Sequence, residues 1–339
     1  MSLPAWIKSM PAVALDAPPE TGGNMAKMMY KMRGASAIPE EELEERRKNL
    51  ARKKHTIELY GNIHQVFPYG KKAAHIAVIP LATKIGSSMV SRCISQAMKE
   101  SRGDLGSLFV VDFAAAGNRL SQWYSTTTKQ VLTLKILLNR ILDQSLYGLT
   151  PPEVLPIVDK QRREHTVLNR KDPNYRLDVG IEEATSIYQF MSLGSGVVIY
   201  DCDRKDPEVV NAMSMLSDTL VLLVPASSQA AVLVAGFFAD LEEFYTPQEI
   251  IDIKEKTIIA ISGTSKSMGT TKGLKQLDEV ARRCAEITGV KQSRRIAIPY
   301  DPALRRPPLY WSKLHFGTKH AFRKLCAMAI VDVAGHAEI

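Results

Sequence analysis

The first candidate for chemistry lies at the end of an early apolar run. His75–Ile79 reads as a short strand that passes directly into Pro80-Leu-Ala-Thr-Lys-Ile-Gly-Ser-Ser88 and then into a helical stretch, Met89 to Lys99. A loop between a strand and a helix N-terminus is where backbone N–H groups and the positive end of the helix dipole receive phosphate oxygens. Such a loop needs glycines for close approach, a lysine to neutralise the β/γ charge, and Ser or Thr to hold magnesium. Gly86 and Ser88 meet those needs, and Lys84 and Ser87 are the other polar members. Two later apolar runs end in carboxylates, Val110-Val-Asp112 and Val197-Val-Ile-Tyr-Asp201-Cys-Asp203. Ligands of open α/β sheets gather at the C-terminal strand edge, which makes Asp112 and Asp201 candidate catalytic or metal-linked groups. A carboxylate there also commonly caps the turn after a buried strand, and both readings stand.

Taken in order, these segments resemble the MinD/ParA family of deviant P-loop ATPases, whose loop reads KGGxGK[ST] after an apolar strand. On that pattern Ala82 stands at the signature lysine, Thr83 and Lys84 at the two glycines, and Ser87 at the phosphate lysine, while Gly86 and Ser88 are kept. The family's first lysine reaches across a dimer to the partner's nucleotide. Its replacement argues against both hydrolysis and nucleotide-driven dimerisation, unless Lys84, two places along, stands in. Val110-Val-Asp-Phe-Ala-Ala-Ala-Gly-Asn118 resembles the family's DxDPxGN segment, with Asp112, Gly117 and Asn118 retained. Ala114 replaces the aspartate that positions the attacking water, and alanine has no group to orient it. Asp201 matches the magnesium-linked aspartate, so Ser88 and Asp201 are the metal ligands only if magnesium binds. Ser217–Pro225 followed by Ser227-Ser-Gln matches the family's strand, proline and helix, whereas Thr257–Ser265 lacks its adenine-reading asparagine. Arg294-Arg-Ile-Ala-Ile-Pro-Tyr-Asp-Pro-Ala-Leu304 looks like the ending of MinD-like proteins associated with actinobacterial type VII (ESX-type) secretion.

The resemblance runs collinearly from about residue 73 to 334. It implies a P-loop NTPase-like fold and a vestigial nucleotide site at Lys84, Gly86, Ser87 and Ser88, with Asp112 and Asp201 as remnants of the catalytic set. No cofactor is expected, with ATP and Mg2+ as the ligands if the site still functions. The implied partners are proteins, among them a secretion-system ATPase or membrane component, and a homodimer is the implied assembly. The leading expectation is a pseudo-ATPase serving as an accessory or positioning factor. The alternatives are a divergent active ATPase for DNA partition or spatial positioning, and a non-specific DNA-binding module. The last would use the basic C-terminal region, where Arg294, Arg295, Arg305, Arg306, Lys319 and Arg323 fall close in sequence. Phosphate contacts of that kind weaken steeply with salt, whereas the same residues on a solvated surface do little.

The elements that must position these groups follow from the hydrophobic pattern. Six short apolar or β-branched runs, His75–Ile79, Ser107–Asp112, Gly196–Asp201, Thr219–Val224, Thr257–Ser262 and Arg295–Ile298, predict one doubly wound, mostly parallel sheet flanked by helices. Ser121 to Gln189 reads as mainly helices and loops, with a helix over Lys129–Ser145 that ends before Pro151-Pro152. Lys319–Val333 reads as a helix docked on the sheet rather than a membrane anchor. Residues 1–38, rich in Pro, Ala, Gly and Met, read as a disordered tail. Residues 39–70 read as a charged helix and linker, acidic first and basic later, which suits the helix dipole. The α/β domain is then 71–339.

Composition narrows the class. The chain has 339 residues, is 45% hydrophobic and carries a net charge of +8, enough for a large core and a bias toward anionic partners. Four scattered cysteines form no CxxC pair, and no stretch reads as a signal peptide or membrane span, so a cytoplasmic protein reaching membranes through partners is expected. No Ser-His-Asp order, nucleophile elbow, GxGxxG fingerprint or HExxH pair points to another enzyme class. His75, His315 and His320 read as packing or surface residues.

Overall fold

Burial on both faces of a parallel sheet demands unbroken apolar strands, and β1 (Ala74–Pro80) and β6 (Gly196–Asp201) are buried along their whole lengths. The computed structural model describes residues 73–335 except 84, 102–106, 115–118, 125–131, 156, 160–163, 169–178, 195 and 264. The tail expected over 1–38 and the charged helix expected over 39–70 lie outside the described residues. The chain continues through α1 (Ser87–Ser101), β2 (Ser107–Asp112), α2 (Arg119–Gln122), β3 (Leu132–Thr133), α3 (Leu134–Leu142), α4 (Pro151–Val154), β4 (Ile157–Asp159), β5 (Glu164–Leu168) and α5 (Ile181–Met191) to β6. After β6 come α6 (Pro207–Leu216), β7 (Thr219–Pro225), α7 (Ala230–Glu242), α8 (Pro247–Lys256), β8 (Thr257–Ser262), α9 (Thr271–Thr288), β9 (Arg295–Ile298) and α10 (Phe316–Gly335).

The sheet runs β3-β5-β2-β6-β1-β7-β8-β9, all neighbours parallel, with β4 added antiparallel to β5. All six predicted strands are present. Helices α1 and α10 contact each other and the sheet, with α1 against β1, β2 and β6. Helices α3 and α5 to α9 build the main core with Ala77, Ile79, Phe109, Tyr200 and Leu222. Alternate residues of each strand serve opposite layers, as the period of two requires. The last helix is docked as expected: Phe322, Leu325 and Cys326 have no exposed surface, and the Thr219 hydroxyl donates to the Ala329 carbonyl at 2.9 Å. No helix among the described residues is long and apolar enough to cross a membrane.

The stretch Ser121–Gln189 departs from its helical expectation, because it contributes β3, β4 and β5. Polar residues disguised β5, Glu164-His-Thr-Val-Leu168: Glu164, His165 and Thr166 are all buried, so the strand lacks the apolar signature by which buried strands are recognised. The helix predicted over Lys129–Ser145 begins at Leu134, since Thr133 adopts an extended conformation (φ −86, ψ 153) and caps it by accepting from the Ile136 N–H. Pro151 opens α4 rather than closing the preceding segment, as a residue lacking an N–H does at little cost in a first helical turn.

Candidate functional site

The C-terminal ends of β1, β2 and β6 meet where the strand order reverses around β1, the place at which open α/β sheets bind ligands. A cleft of about 560 Å³ opens there. Its walls include Ala82, Thr83 and Gly86 from the loop after β1, Ser87 and Ser88 from the first turn of α1, Ala114 beyond β2, Gln122 at the end of α2 and Trp123 just after it, and Asp203 and Lys205 beyond β6. The structure therefore gathers Gly86, Ser87 and Ser88 at one site, while Lys84, Gly117 and Asn118 lie outside the described residues.

Local chemistry explains the loop's path. The Leu81 N–H donates to the Leu223 carbonyl at 2.9 Å, continuing the sheet one residue past β1, and the Leu81 carbonyl accepts from Arg204 Nη1 at 2.6 Å. Gly86 then turns with φ +87, and its carbonyl accepts the Val90 N–H at 2.9 Å, which starts α1. A side chain disfavours that conformation by about 1–2 kcal/mol. A Cβ on Gly86 would also stand 3.2 Å from Met89 Cε. Gly86→Ala is accordingly expected to lower the unfolding free energy by about 1–2 kcal/mol in urea titrations.

Asp112 and Asp201 sit opposite each other in the β2–β6 register. Asp112, 1% exposed, accepts the Ala114 N–H at 3.0 Å, the turn-capping arrangement considered for it above. Asp201 differs. Its carboxylate is fully buried, and neither oxygen finds a hydrogen-bond partner among the described residues. Burial raises its pKa to about 6; the hydroxyls of Ser88, Ser87 and Ser91 lie close enough to pull it back down but miss hydrogen-bonding geometry. A buried carboxylate beside serine hydroxyls is a donor set suited to a hard divalent cation, so Ser88 and Asp201 are the residues that would hold magnesium.

A second buried polar group stands behind the cleft. Glu164, with no exposed surface, accepts from Arg92 of α1, from the Ser95 hydroxyl at 2.8 Å and from the Tyr124 hydroxyl at 2.9 Å. The Arg92 guanidinium lies 4.2 Å over the Tyr124 ring. This network ties the helix that carries Ser87 and Ser88 to the segment that carries Gln122 and Trp123. Sequence reasoning missed Gln122, Trp123, Arg204 and Lys205. The Arg204-Lys205 pair was in principle detectable, since it directly follows the Asp201 strand at the edge where ligands gather.

Two members of the predicted basic cluster, Arg294 and Arg323, are internal. Arg294 is buried, with Nε donating to the Thr257 carbonyl at 3.0 Å and Nη2 to the Lys256 carbonyl at 2.9 Å. Arg323, 3% exposed, pairs with Glu100 at 2.8 Å. Arg295 bonds the Gln292 carbonyl and stands 3.4 Å from Asp278, and Lys319 donates to the Ser312 carbonyl at 3.2 Å. Arg305 lies over the Tyr300 ring, and Arg306 is exposed. Groups already bonded inside the protein are unavailable to nucleic-acid phosphates, which removes Arg294 and Arg323 from any such footprint. Asp301 of the Ile-Pro-Tyr-Asp segment is also structural, accepting the N–H groups of Ala303 at 3.0 Å and His315 at 2.8 Å. His75 is internal: its ring bonds the hydroxyls of Tyr200 at 2.9 Å and Ser192 at 3.1 Å, and burial lowers its pKa to about 4.

No family model and no curated protein matches this sequence, but solved structures match its shape. A ParA family ATPase from Chlorobium tepidum TLS superposes with a TM-score of 0.51 at 14% identity, over 78% of this chain and 99% of that one. The MinD cell division protein of Aquifex aeolicus gives 0.51 at 14% identity, over 75% and 95%. The chain has the MinD/ParA fold. The septum site-determining protein MinD of Pyrococcus horikoshii OT3, complexed with Mg-ADP, gives 0.50 at 13% identity, over 75% and 94%. Identities this low speak for the fold and leave the chemistry to the cleft. On the MinD/ParA fold that cleft is walled by Ala82, Ser87 and Ala114, the positions at which the resemblance placed two lysines and a water-orienting aspartate.

Proposed function

We propose that this protein is a non-hydrolysing MinD/ParA-like accessory or positioning protein that acts through protein partners, and that the machine it serves is a membrane-linked secretion system. The composition of the cleft carries the reading: two methyl groups and a hydroxymethyl, from Ala82, Ala114 and Ser87, occupy the places where triphosphate hydrolysis needs charge and a water-orienting acid. The retained Gly86, Ser88 and Asp201 preserve the shape of the site and its metal-binding groups without the means to stabilise a transferring phosphoryl group. The link to a type VII-like machine rests on the likeness of the Arg294–Leu304 segment and is the finer part of the proposal. A homodimer, the family's mode of assembly, is the proposed oligomer.

Purified protein incubated with ATP and magnesium is expected to release phosphate at the background rate. Magnesium-dependent turnover that Lys84→Ala abolishes would overturn the reading and make the chain a divergent active ATPase.

A further inference from the structure

The end of the sheet opposite the cleft carries an exposed apolar surface. A groove of about 670 Å³ opens there between α5 and the end of α3 with the turn that follows it. Helix α5 ends at Met191, and Leu193-Gly194 lead into the N-terminal end of β6, whereas the cleft lies beyond the C-terminal end of the same strand. Ile141, Leu146, Tyr147, Leu149, Phe190 and Leu193 line the groove, and none of the described residues that line it is charged. The turn is held in place: Gln144 takes φ +58, the Asp143 carboxylate accepts the Ser145 N–H at 2.9 Å, the Gln144 carbonyl accepts the Tyr147 N–H at 3.0 Å, and Leu146 is buried. Tyr147 therefore stands fixed at the lip, 92% exposed, while Leu193 and Leu142 are 62% and 63% exposed.

A second copy of this chain fits that surface on two counts, area and charge. Tyr147, Leu142, Leu149 and Leu193 together expose roughly 400 Å² of apolar surface, taking about 150–250 Å² for a whole aromatic side chain and less for leucine. A homodimer interface of standard size buries about 800 Å² on each partner, about 65% of it apolar, or about 500 Å². The patch thus supplies most of the apolar core that one side of such a dimer needs. The two walls also differ in sign. Residues 134–150 carry Lys135 and Arg140 against Asp143, whereas residues 181–193 carry Glu182 and Glu183 and no base. A two-fold axis running along the groove sets each copy's α3 wall over the other copy's α5 wall, so that opposite charges face each other twice and each Tyr147 enters the other copy's groove.

We infer that two copies of this protein associate through the α3–α5 groove, with Tyr147 as the central anchor, and that they do so without nucleotide. The inference rests on the homodimer of the reading above and gives that dimer its surface. Contact at the N-terminal end of β6 leaves the cleft at the other end of the strand outside the interface, and it does not call on the loop lysine whose place Ala82 takes.

Sedimentation equilibrium of the full chain, run without nucleotide and again with ATP and magnesium, tests it. The wild type is expected to be dimeric in both. Tyr147→Glu and Leu193→Glu should each raise the dimer dissociation constant by about thirtyfold or more, the size expected for a buried anchor side chain that a two-fold interface holds twice. Ile287→Glu is the control: it is 64% exposed on α9, the helix packed on β8 and β9 at the other side of the sheet, and should leave the constant unchanged. All three side chains are exposed, so the variants should fold as the wild type does, which circular dichroism checks. A dimer that Tyr147→Glu and Leu193→Glu leave unmoved, a dimer that Ile287→Glu weakens equally, or a dimer that forms only with ATP and magnesium would overturn the groove assignment and keep the homodimer. A wild type that stays monomeric in both conditions would overturn the two together and leave the groove to another occupant.

Discussion

Arg92→Met should lower the unfolding free energy by about 3–5 kcal/mol, because it strands the Glu164 carboxylate in the interior. Glu164 has no exposed surface and Arg92 is 6% exposed, so water cannot replace the lost partner. The Ser95 and Tyr124 hydroxyls at 2.8 and 2.9 Å would remain, but two neutral donors do not offset a buried charge. The double variant Arg92→Met with Glu164→Leu should recover most of the loss, since removing both charges removes both desolvation costs. Urea denaturation of the two singles and the double closes the cycle. Additive losses in the double would show that the pair does not act as a unit. The local consequence is equally specific: with Glu164 gone, the Tyr124 hydroxyl beside the Trp123 wall of the cleft loses its acceptor and keeps only the bond it accepts from Thr166.

Asp201→Asn should stabilise the protein at neutral pH by on the order of 2 kcal/mol, less than the roughly 3 kcal/mol that a rise in pKa from 3.8 to about 6 represents, because a buried amide also needs partners. The sign follows from linkage. The folded state holds the Asp201 proton more tightly than the unfolded chain does, so folding is penalised wherever the unfolded chain has released it. Below about pH 4 the carboxyl is protonated in both states and carries no penalty. Between about pH 4 and 6 the penalty grows, and above that it is complete. The advantage of Asn should therefore be largest at pH 7 and vanish toward pH 4 in parallel denaturation curves. An advantage that does not change with pH would mean that Asp201 is paired in solution.

Groups that keep costly charge inside a protein while contributing nothing to packing are common at sites of function. Asp201 fits that pattern and Glu164 does not, although both are wholly buried acids. Glu164 is saturated by Arg92, Ser95 and Tyr124 and reads as architecture. Asp201 faces the first turn of α1 with its oxygens unsatisfied. Stability measurements on these two residues separate an acid saturated by its neighbours from one that has no hydrogen-bond partner among the described residues.

The doubly wound sheet, its six principal strands, the docked last helix and the strand–loop–helix setting of Gly86, Ser87 and Ser88 were all written in the sequence by itself. The reason is that each depends on local pattern: continuous β-branched runs are stable only when covered on both faces, and turn residues must follow them. The same local logic exposed the substitutions at Ala82, Ser87 and Ala114. What lay beyond it depends on partners distant in the chain. β5 hid behind polar letters because Glu164 is satisfied by Arg92, 72 residues away. Arg294 and Arg323 looked like a surface patch because nothing near them in sequence announces the carbonyls and the Glu100 carboxylate that bind them inside. Lys205 and Trp123 become cleft residues only when the strand order brings the ends of β6 and β1 together and sets α2 beside them. Hydrophobic periodicity reports which side of an element is buried, whereas the pairing of charges is decided by which elements become neighbours, and that is a property of the tertiary fold alone.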